Sequence, residues 1–152
     1  MDETRRSQLD RFRVKSVFDG KERLLKKYRT LMVGDQGWWA LIRFELIITL
    51  FGWIPGALGL ALRTLFFPLL FKKTGKKVVF GRDMNIRSPH RIEIGDRVIF
   101  DDDVLLDGKG STSNGIRIGN DVYIGQSSIV QTKNGSLTLG DEVNIGYFAT
   151  IS

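Results

Sequence analysis

The chain has 152 residues, one histidine, no cysteine and a formal net charge of +6. The absence of cysteine excludes a disulfide framework and a thiolate metal site. The start of the chain lacks the apolar core of a secretory signal peptide, so export is not expected. Residues 1–77 contain 16 lysines and arginines against seven acids, a net charge of +9, whereas residues 78–152 carry −3. This asymmetry predicts that the first part meets an anionic partner, either lipid headgroups or nucleic acid, and that the second is a mildly acidic domain.

Residues 1–37 are predicted to form a basic amphipathic helix region. Asp19 and Glu22 have the spacing of a capping box, and apolar residues then recur at helical spacing as far as Gly34: Leu24, Leu25, Tyr28, Leu31 and Met32. The opposite face is basic, with Lys21, Arg23, Lys26, Lys27 and Arg29. Such a face is either an ordinary solvated surface or one that contacts acidic headgroups.

Residues 38–77 form an apolar segment that ends in a lysine cluster. Its longest uncharged stretch, Leu46 to Leu62, is about 17 residues, which is the lower limit for spanning a bilayer. Pro55 would kink a straight helix within that stretch. The pattern therefore favours two short helices around a bend at Gly52 to Gly56, lying in the membrane interface or dipping into it, over a single transmembrane helix.

The charged and aromatic residues of this segment determine its predicted contacts. Arg43, Glu45 and Arg63 interrupt the apolar run. Because tryptophan prefers headgroup depth and lysine is attracted to an anionic leaflet, the predicted membrane-contact residues are Trp38, Trp39, Trp53, Lys72, Lys73, Lys76 and Lys77. The alternative is that the segment packs on the second domain, or between subunits, as a buried helical hairpin. Aliphatic residues outnumber the aromatics that a base-stacking surface would present, so nucleic acid is not an expected partner.

Residues 78–152 contain an internal repeat with a period of six. Three stretches align on an aliphatic residue followed by glycine: RIEIGDRVIFDDDVLL from Arg91, GIRIGNDVYIGQSSIV from Gly115 and SLTLGDEVNIGYFATI from Ser136. The alignment superimposes three sets of interior positions, namely Ile94, Ile118 and Leu139; Phe100, Ile124 and Ile145; Leu106, Val130 and Ile151. Neither an amphipathic helix nor a meander of hairpins has this spacing, which predicts stacked coils of flat strands.

Compact residues and glycines mark the corners of these coils. Four positions after an aliphatic residue the chain has Val98, Val104, Val122, Ser128, Val143 and Ala149. The glycines that follow the aliphatic residues, such as Gly95 and Gly119, are predicted to adopt turn dihedral angles closed to other residues. Stretches beyond the period, Arg87 to His90, Asp107 to Asn114 and Gln131 to Gly135, all follow the third strand of a coil. One edge of the solenoid is therefore predicted to collect loops, as a binding edge would.

These residues resemble the left-handed parallel β-helix, hexapeptide-repeat acyltransferases. The resemblance covers residues 78–152, and the N-terminal half is similar to the membrane-associated members found in bacterial surface-polysaccharide biosynthesis. The expected fold is mainly β, a left-handed parallel β-helix preceded by an α-helical, membrane-associated segment. The resemblance implies a homotrimer with acetyl-CoA or another acyl-CoA as co-substrate. The acceptor would be a sugar or glycolipid at the cytoplasmic face of the bacterial inner membrane, with the protein peripheral or re-entrant there.

The resemblance also implies a histidine general base that removes the proton of an acceptor hydroxyl. His90, the single histidine, is a candidate, but it precedes the first full coil whereas the family's base lies later, so the role is not mapped onto it. Asp101, Asp102 and Asp103 invite a metal hypothesis. No metal is expected, because neighbouring strand residues point to opposite sides and one histidine cannot supply a zinc site from a single subunit.

The chain ends on the third strand of a coil, at Ile151 and Ser152. Because a solenoid needs a cap, the sequence predicts that the protein continues, with the general base and most of the CoA groove beyond Ser152. The predicted function is CoA-dependent O-acyl transfer, with acetyl as the expected group. The alternative is a non-catalytic β-helix scaffold or membrane-bound assembly module.

Overall fold

The computed structural model describes residues 20–152, with the backbone alone for residues 111–114. Within this range the expected parallel β-solenoid is confirmed. Twelve short strands form three four-stranded parallel sheets, and each successive strand moves to the next sheet, so that four coils stack on one another. A helical segment precedes the first coil.

Every coil contributes one strand to each sheet. The first sheet contains β1 (Lys73–Thr74), β4 (Ile92–Ile94), β7 (Ser111–Ile118) and β10 (Gly135–Leu139). The second contains β2 (Val79–Phe80), β5 (Ile99–Phe100), β8 (Tyr123–Ile124) and β11 (Asn144–Ile145). The third contains β3 (Asn85–Arg87), β6 (Leu105–Asp107), β9 (Ile129–Gln131) and β12 (Thr150–Ile151). Because side chains alternate along a strand, each strand presents only one or two residues to the interior.

The predicted interior register is confirmed at every aligned position. Strand pairing stacks the residues of successive coils in three columns: Ile94, Ile118 and Leu139; Phe100, Ile124 and Ile145; Leu106, Val130 and Ile151. Four of the compact corner residues are buried as well, namely Val98, Val104, Val122 and Ser128. The core is therefore a stack of like side chains, each stabilised by removal of its apolar surface from water.

The expectation that Gly95 and Gly119 adopt dihedral angles closed to other residues is wrong. Positive φ angles occur two residues later, at Arg97 with 54° and at Asp121 with 57°. A Cβ atom at Gly95 would lie 2.5 Å from the carbonyl oxygen of Gly119 in the next coil. Glycine is needed at this corner because successive coils approach too closely for a side chain.

A ladder of acidic and amide side chains joins the coils at the corner after the first sheet. The backbone N–H of Lys76 donates to Asp96 Oδ1 at 2.7 Å, and that of Asp96 donates to Asn120 Oδ1 at 2.8 Å. The backbone N–H of Asn120 then donates to Asp141 Oδ1 at 2.7 Å. Each coil therefore supplies the acceptor for an N–H group of the coil before it. We refer to these side chains as the corner ladder.

Three α-helices lie ahead of the solenoid in the described residues: α1 over 20–33, α2 over Trp38–Phe51 and α3 over Gly56–Phe66. Helix α1 ends before Gly34, as predicted, and the predicted cap Asp19 lies outside the described residues. The break between α2 and α3 confirms the bend predicted at Gly52 to Gly56. Short 3₁₀ helices follow at Phe67–Leu69 and, between the first two coils, at Pro89–Arg91.

One face of α2 is buried in the hydrophobic core that also fills the solenoid. Its buried residues join the same core as the solenoid interior: Leu41, Phe44 and Ile47. Below them an aromatic column continues into the coils, because the Phe71 and Phe80 rings stack at 5.5 Å and the Phe80 and Phe100 rings at 5.6 Å. For this face of the helical segment, the alternative of packing on the β domain is therefore the correct one.

Arg63 joins the helices to the edge of the solenoid. Its side chain is only 3% exposed. Nε donates to the carbonyl of Phe80 in β2 at 2.9 Å, and Nη1 donates to the carbonyls of Ile54 at 2.7 Å and Phe51 at 3.3 Å. Burial lowers the pKa of the guanidinium from its usual value. The charge that interrupts the apolar run in sequence thus satisfies carbonyl groups at the α2–α3 bend and at an edge strand.

The first coil begins before residue 78, where the repeat becomes visible in the sequence. Strand β1 contains Lys73, one of the predicted membrane-contact lysines, and pairs Thr74 with Ile94. The hexapeptide pattern does not reveal this strand, because a threonine occupies the position that is aliphatic in the later coils.

Candidate functional site

The outer face of α2 is apolar. Its large side chains at helical spacing are between 47% and 84% exposed: Trp39, Ile42, Leu46 and Leu50. The opposite face of the same helix is the one buried in the common core. Helix α2 is therefore apolar on both sides, which a helix with one solvated face is not.

Helix α3 and the turns beside it show the same feature. Leu58, Leu65 and Leu69, spaced by seven and four residues, are each more than half exposed, as is Trp53 in the α2–α3 bend. We refer to the following exposed residues as the apolar helix surface: Trp39, Ile42, Leu46, Leu50, Trp53, Leu58, Leu65 and Leu69. A concentration of exposed apolar side chains of this extent indicates a contact surface.

The three predicted membrane-contact tryptophans differ in their surroundings. Trp39 and Trp53 are 84% and 62% exposed, and Trp53 Nε1 donates to the carbonyl of Thr49 at 2.9 Å. Trp38 is about half exposed, because the Arg29 guanidinium of α1 lies 5.0 Å from its ring centroid. The rings of Trp39 and Trp53 are therefore mostly accessible, whereas Trp38 also contacts α1.

The four predicted contact lysines lie on the outside of the first coil. Lys72 pairs with Glu93 Oε1 at 2.7 Å, and this hydrogen bond lowers the pKa of Glu93. Lys73 lies in β1, and Lys76 and Lys77 are exposed in the turn that leads to β2. The four lysines thus lie in and on either side of β1, an edge strand of the solenoid. Over the described part of the chain, no helix combines the length and the hydropathy needed to cross a bilayer.

His90 is packed between the solenoid and the end of α1. A Cβ atom at Gly34 would lie 2.9 Å from its Cε1, and its Nδ1 is buried without a hydrogen-bond partner among residues 20–152. Burial, followed by the charge of Arg91, lowers the pKa of the imidazole. His90 is therefore neutral at neutral pH and faces the helical segment. The expectation that His90 is not the general base stays a prediction.

The three consecutive aspartates serve separate corner contacts. Asp101 Oδ2 accepts a hydrogen bond from the Tyr123 hydroxyl at 2.9 Å, and Asp102 Oδ1 accepts one from the backbone N–H of Arg82 at 2.7 Å. Asp103 has a positive φ of 59° at the turn. In the described residues, no group of three potential metal ligands converges here or elsewhere.

The expected loop edge is not marked by longer connections. Those from the third sheet back to the first cover residues 88–91, 108–110 and 132–134, while other corners, such as 95–98 and 101–104, have four residues. Part of the predicted extra stretches lies within β7 and β10 instead. Helix α1 docks on this edge, where the Ser88 N–H donates to the Met32 carbonyl at 2.7 Å. This position of α1 was not predicted, and no local pattern in the sequence indicates it.

Comparison of the chain with protein-family models, with curated proteins and with solved structures found no match. The parallel β-solenoid therefore stands on the strand pairing of this chain alone.

Proposed function

We propose that the protein is an acyltransferase of the left-handed β-helix, hexapeptide-repeat class that works at a membrane surface. The observation that carries the proposal is the repeat, whose aliphatic positions recur every six residues and stack coil upon coil. The activity is proposed from the resemblance of this repeat, because one fold can host several functions. The expected donor is acetyl-CoA or another acyl-CoA, the acceptor is a sugar or glycolipid, and the assembly is a homotrimer.

In the proposed reaction an acceptor hydroxyl attacks the thioester carbonyl of the acyl-CoA. A general base takes the hydroxyl proton, while backbone N–H groups bind the oxyanion that develops on the carbonyl oxygen. The tetrahedral intermediate then collapses, so that an ester forms, the carbon–sulfur bond breaks and the CoA thiolate leaves and takes up a proton. We assign no catalytic residue in the described solenoid, because His90 faces the helical segment.

The apolar helix surface supports a position at the membrane. Transfer of a large apolar side chain from water contributes about 1.5–3 kcal/mol when its burial is complete. Each lysine close to an anionic leaflet adds about 1 kcal/mol. Partial burial of the eight side chains, aided by the lysines of the first coil, is sufficient for peripheral attachment. The proposed location is the cytoplasmic face of the bacterial inner membrane.

Liposome flotation tests the membrane part of the proposal. The chain is expected to float with vesicles of phosphatidylcholine and phosphatidylglycerol, and Trp39→Ser is expected to reduce the bound fraction severalfold. Phe148→Ser is the matched control, because Phe148 is 79% exposed on the last coil, away from the helices. Equal losses in the two variants, or no flotation of the parent chain, would contradict membrane contact through α2 and α3.

Acyl transfer is tested with membranes from bacteria that express the complete protein, including the continuation predicted beyond Ser152. Labelled acetyl-CoA is added, and label is sought in the glycolipid and polysaccharide fractions. We expect ester-linked label that depends on expression, and we expect His90→Ala to retain transfer within about tenfold, since loss of a general base costs about a hundredfold or more. A larger loss with an intact fold would make His90 the base. Absence of expression-dependent label would contradict the acyltransferase assignment.

The second candidate is a non-catalytic scaffold or membrane-bound assembly module. The observation that favours it is the packing of the single histidine, whose Nδ1 is buried and whose pKa is lowered. A scaffold would bind membranes in the flotation assay and transfer no label, so the two experiments together separate the candidates.

A further inference from the structure

A groove separates α1 from the loop that joins the second and third coils. Its volume is about 600 Å³, within the range of small-molecule sites. Leu24, Lys27, Tyr28 and Leu31 line one wall at the spacing of a single helix face, and Lys109 lines the other. The groove therefore combines an apolar floor with basic groups from two separate elements.

The charges in this groove are not neutralised by the rest of the described chain. Lys26, Lys27 and Lys109 have exposed side chains and form no salt bridge within residues 20–152. Glu45 of α2 accepts a hydrogen bond from the Tyr28 hydroxyl and forms no salt bridge with these lysines among the described residues. Three unpaired ammonium groups on one groove favour an anion that several of them can contact at once.

We propose that this groove binds an anionic lipid whose headgroup is a phosphate. The phosphate lies between Lys109 and the lysines of α1, and an acyl or prenyl chain lies along Leu24 and Leu31. A free phosphate would use the ammonium groups and leave the leucines in contact with water, whereas a lipid satisfies both parts of the lining.

The position of α1 supports a lipid as the occupant. Its contacts with α2, from Tyr28 to Glu45 and from Arg29 to the Trp38 ring, hold it against the helix that presents Trp39. A lipid headgroup can therefore reach the groove from a bilayer that contacts α2. The proposal is independent of acyl transfer and is tested without a bilayer.

The test measures binding of short-chain phosphatidic acid, below its micelle concentration, to the whole chain by titration calorimetry. Lys109→Gln is expected to weaken binding about tenfold, because a charge-assisted contact is lost. Lys133→Gln is the matched control. It removes the same charge from the equivalent loop one coil further on, where Lys133 is exposed and lines a different cavity. The expected change for this control is less than about twofold.

Two further arms make the result decisive. Lys27→Gln is expected to repeat the loss, with Arg23→Gln as its control on the same helix. Inorganic phosphate and short-chain phosphatidylcholine are expected to bind at least about tenfold more weakly than phosphatidic acid. Equal losses in Lys109→Gln and Lys133→Gln would assign the effect to overall charge. Equal affinity for inorganic phosphate would assign the groove to a free anion. Either result, or no binding of the lipid, overturns the proposal.

Discussion

Replacement of Arg63 by methionine tests how the helical segment is attached to the solenoid. The side chain is nearly fully buried and donates to three backbone carbonyls, those of Phe80, Ile54 and Phe51. Methionine has a similar length and fills the apolar part of the site, so the change removes the hydrogen bonds while keeping most of the packing.

The magnitude follows from these three bonds. A hydrogen bond to a charged group contributes about 1.5–3 kcal/mol, and a buried carbonyl left without a partner is costly. Removal of a buried charge regains part of its desolvation penalty, which offsets some of the loss. We therefore expect Arg63→Met to lower the free energy of unfolding by about 3 kcal/mol. Arg63→Lys, which keeps the charge but cannot contact all three carbonyls, should lose about half as much.

Urea unfolding followed by tryptophan fluorescence and by far-ultraviolet circular dichroism measures this effect. All three tryptophans lie in or next to α2, so fluorescence reports the helical segment while circular dichroism also reports the strands. Arg43→Met, at an exposed position of α2, is the control and should change the free energy of unfolding by less than about 0.5 kcal/mol. A loss below about 1 kcal/mol in Arg63→Met would show that these hydrogen bonds do not hold the helices on the solenoid.

Three further predictions address the corner, the core and the histidine. Gly95→Ala should lower the free energy of unfolding by about 2 kcal/mol or more, since its Cβ would meet the Gly119 carbonyl at 2.5 Å. Gly140→Ala, where that space is open, should change it by less than about 0.5 kcal/mol in the same urea titration. Phe80→Ala should lower the thermal unfolding midpoint, with a cost of about 3–5 kcal/mol, because its ring is fully buried. The His90 ring protons should titrate below 6.5 by NMR. A folded-state pKa below the unfolded value contributes stability that is lost as the pH falls. Below about pH 6.5, the free energy of unfolding of the wild-type chain should therefore fall more than that of His90→Gln. Equal pH dependences of the two would contradict this.

The sequence was sufficient to predict the solenoid because the repeat can be read directly from the order of residues along the chain. Ile94, Ile118 and Leu139 occur at matching places in three stretches, and only stacked coils bring such residues together. The break between α2 and α3 was predictable for the same reason, since proline and glycine act on the local backbone.

The remaining features depend on distances between residues far apart in the chain. In the sequence, Arg63 only interrupts an apolar segment, because nothing local shows that it binds a carbonyl 17 residues away in β2. The predicted role of Gly95 in the turn was wrong, because glycine is required there by the close approach of the Gly119 carbonyl in the next coil. The docking of α1 on the loop edge, through Ser88, has no local pattern at all.

The corner ladder has a consequence for the order in which the protein is made. The Lys76 N–H is satisfied by Asp96, a residue synthesised later, and the Asp96 N–H is in turn satisfied by Asn120. During synthesis, this backbone N–H of each coil therefore lacks its side-chain acceptor until the next coil has left the ribosome. Each new coil therefore completes the hydrogen bonding of the coil that was made before it. Because each coil pairs only with its neighbours, a duplicated coil could enter the stack without any change to the coils further away.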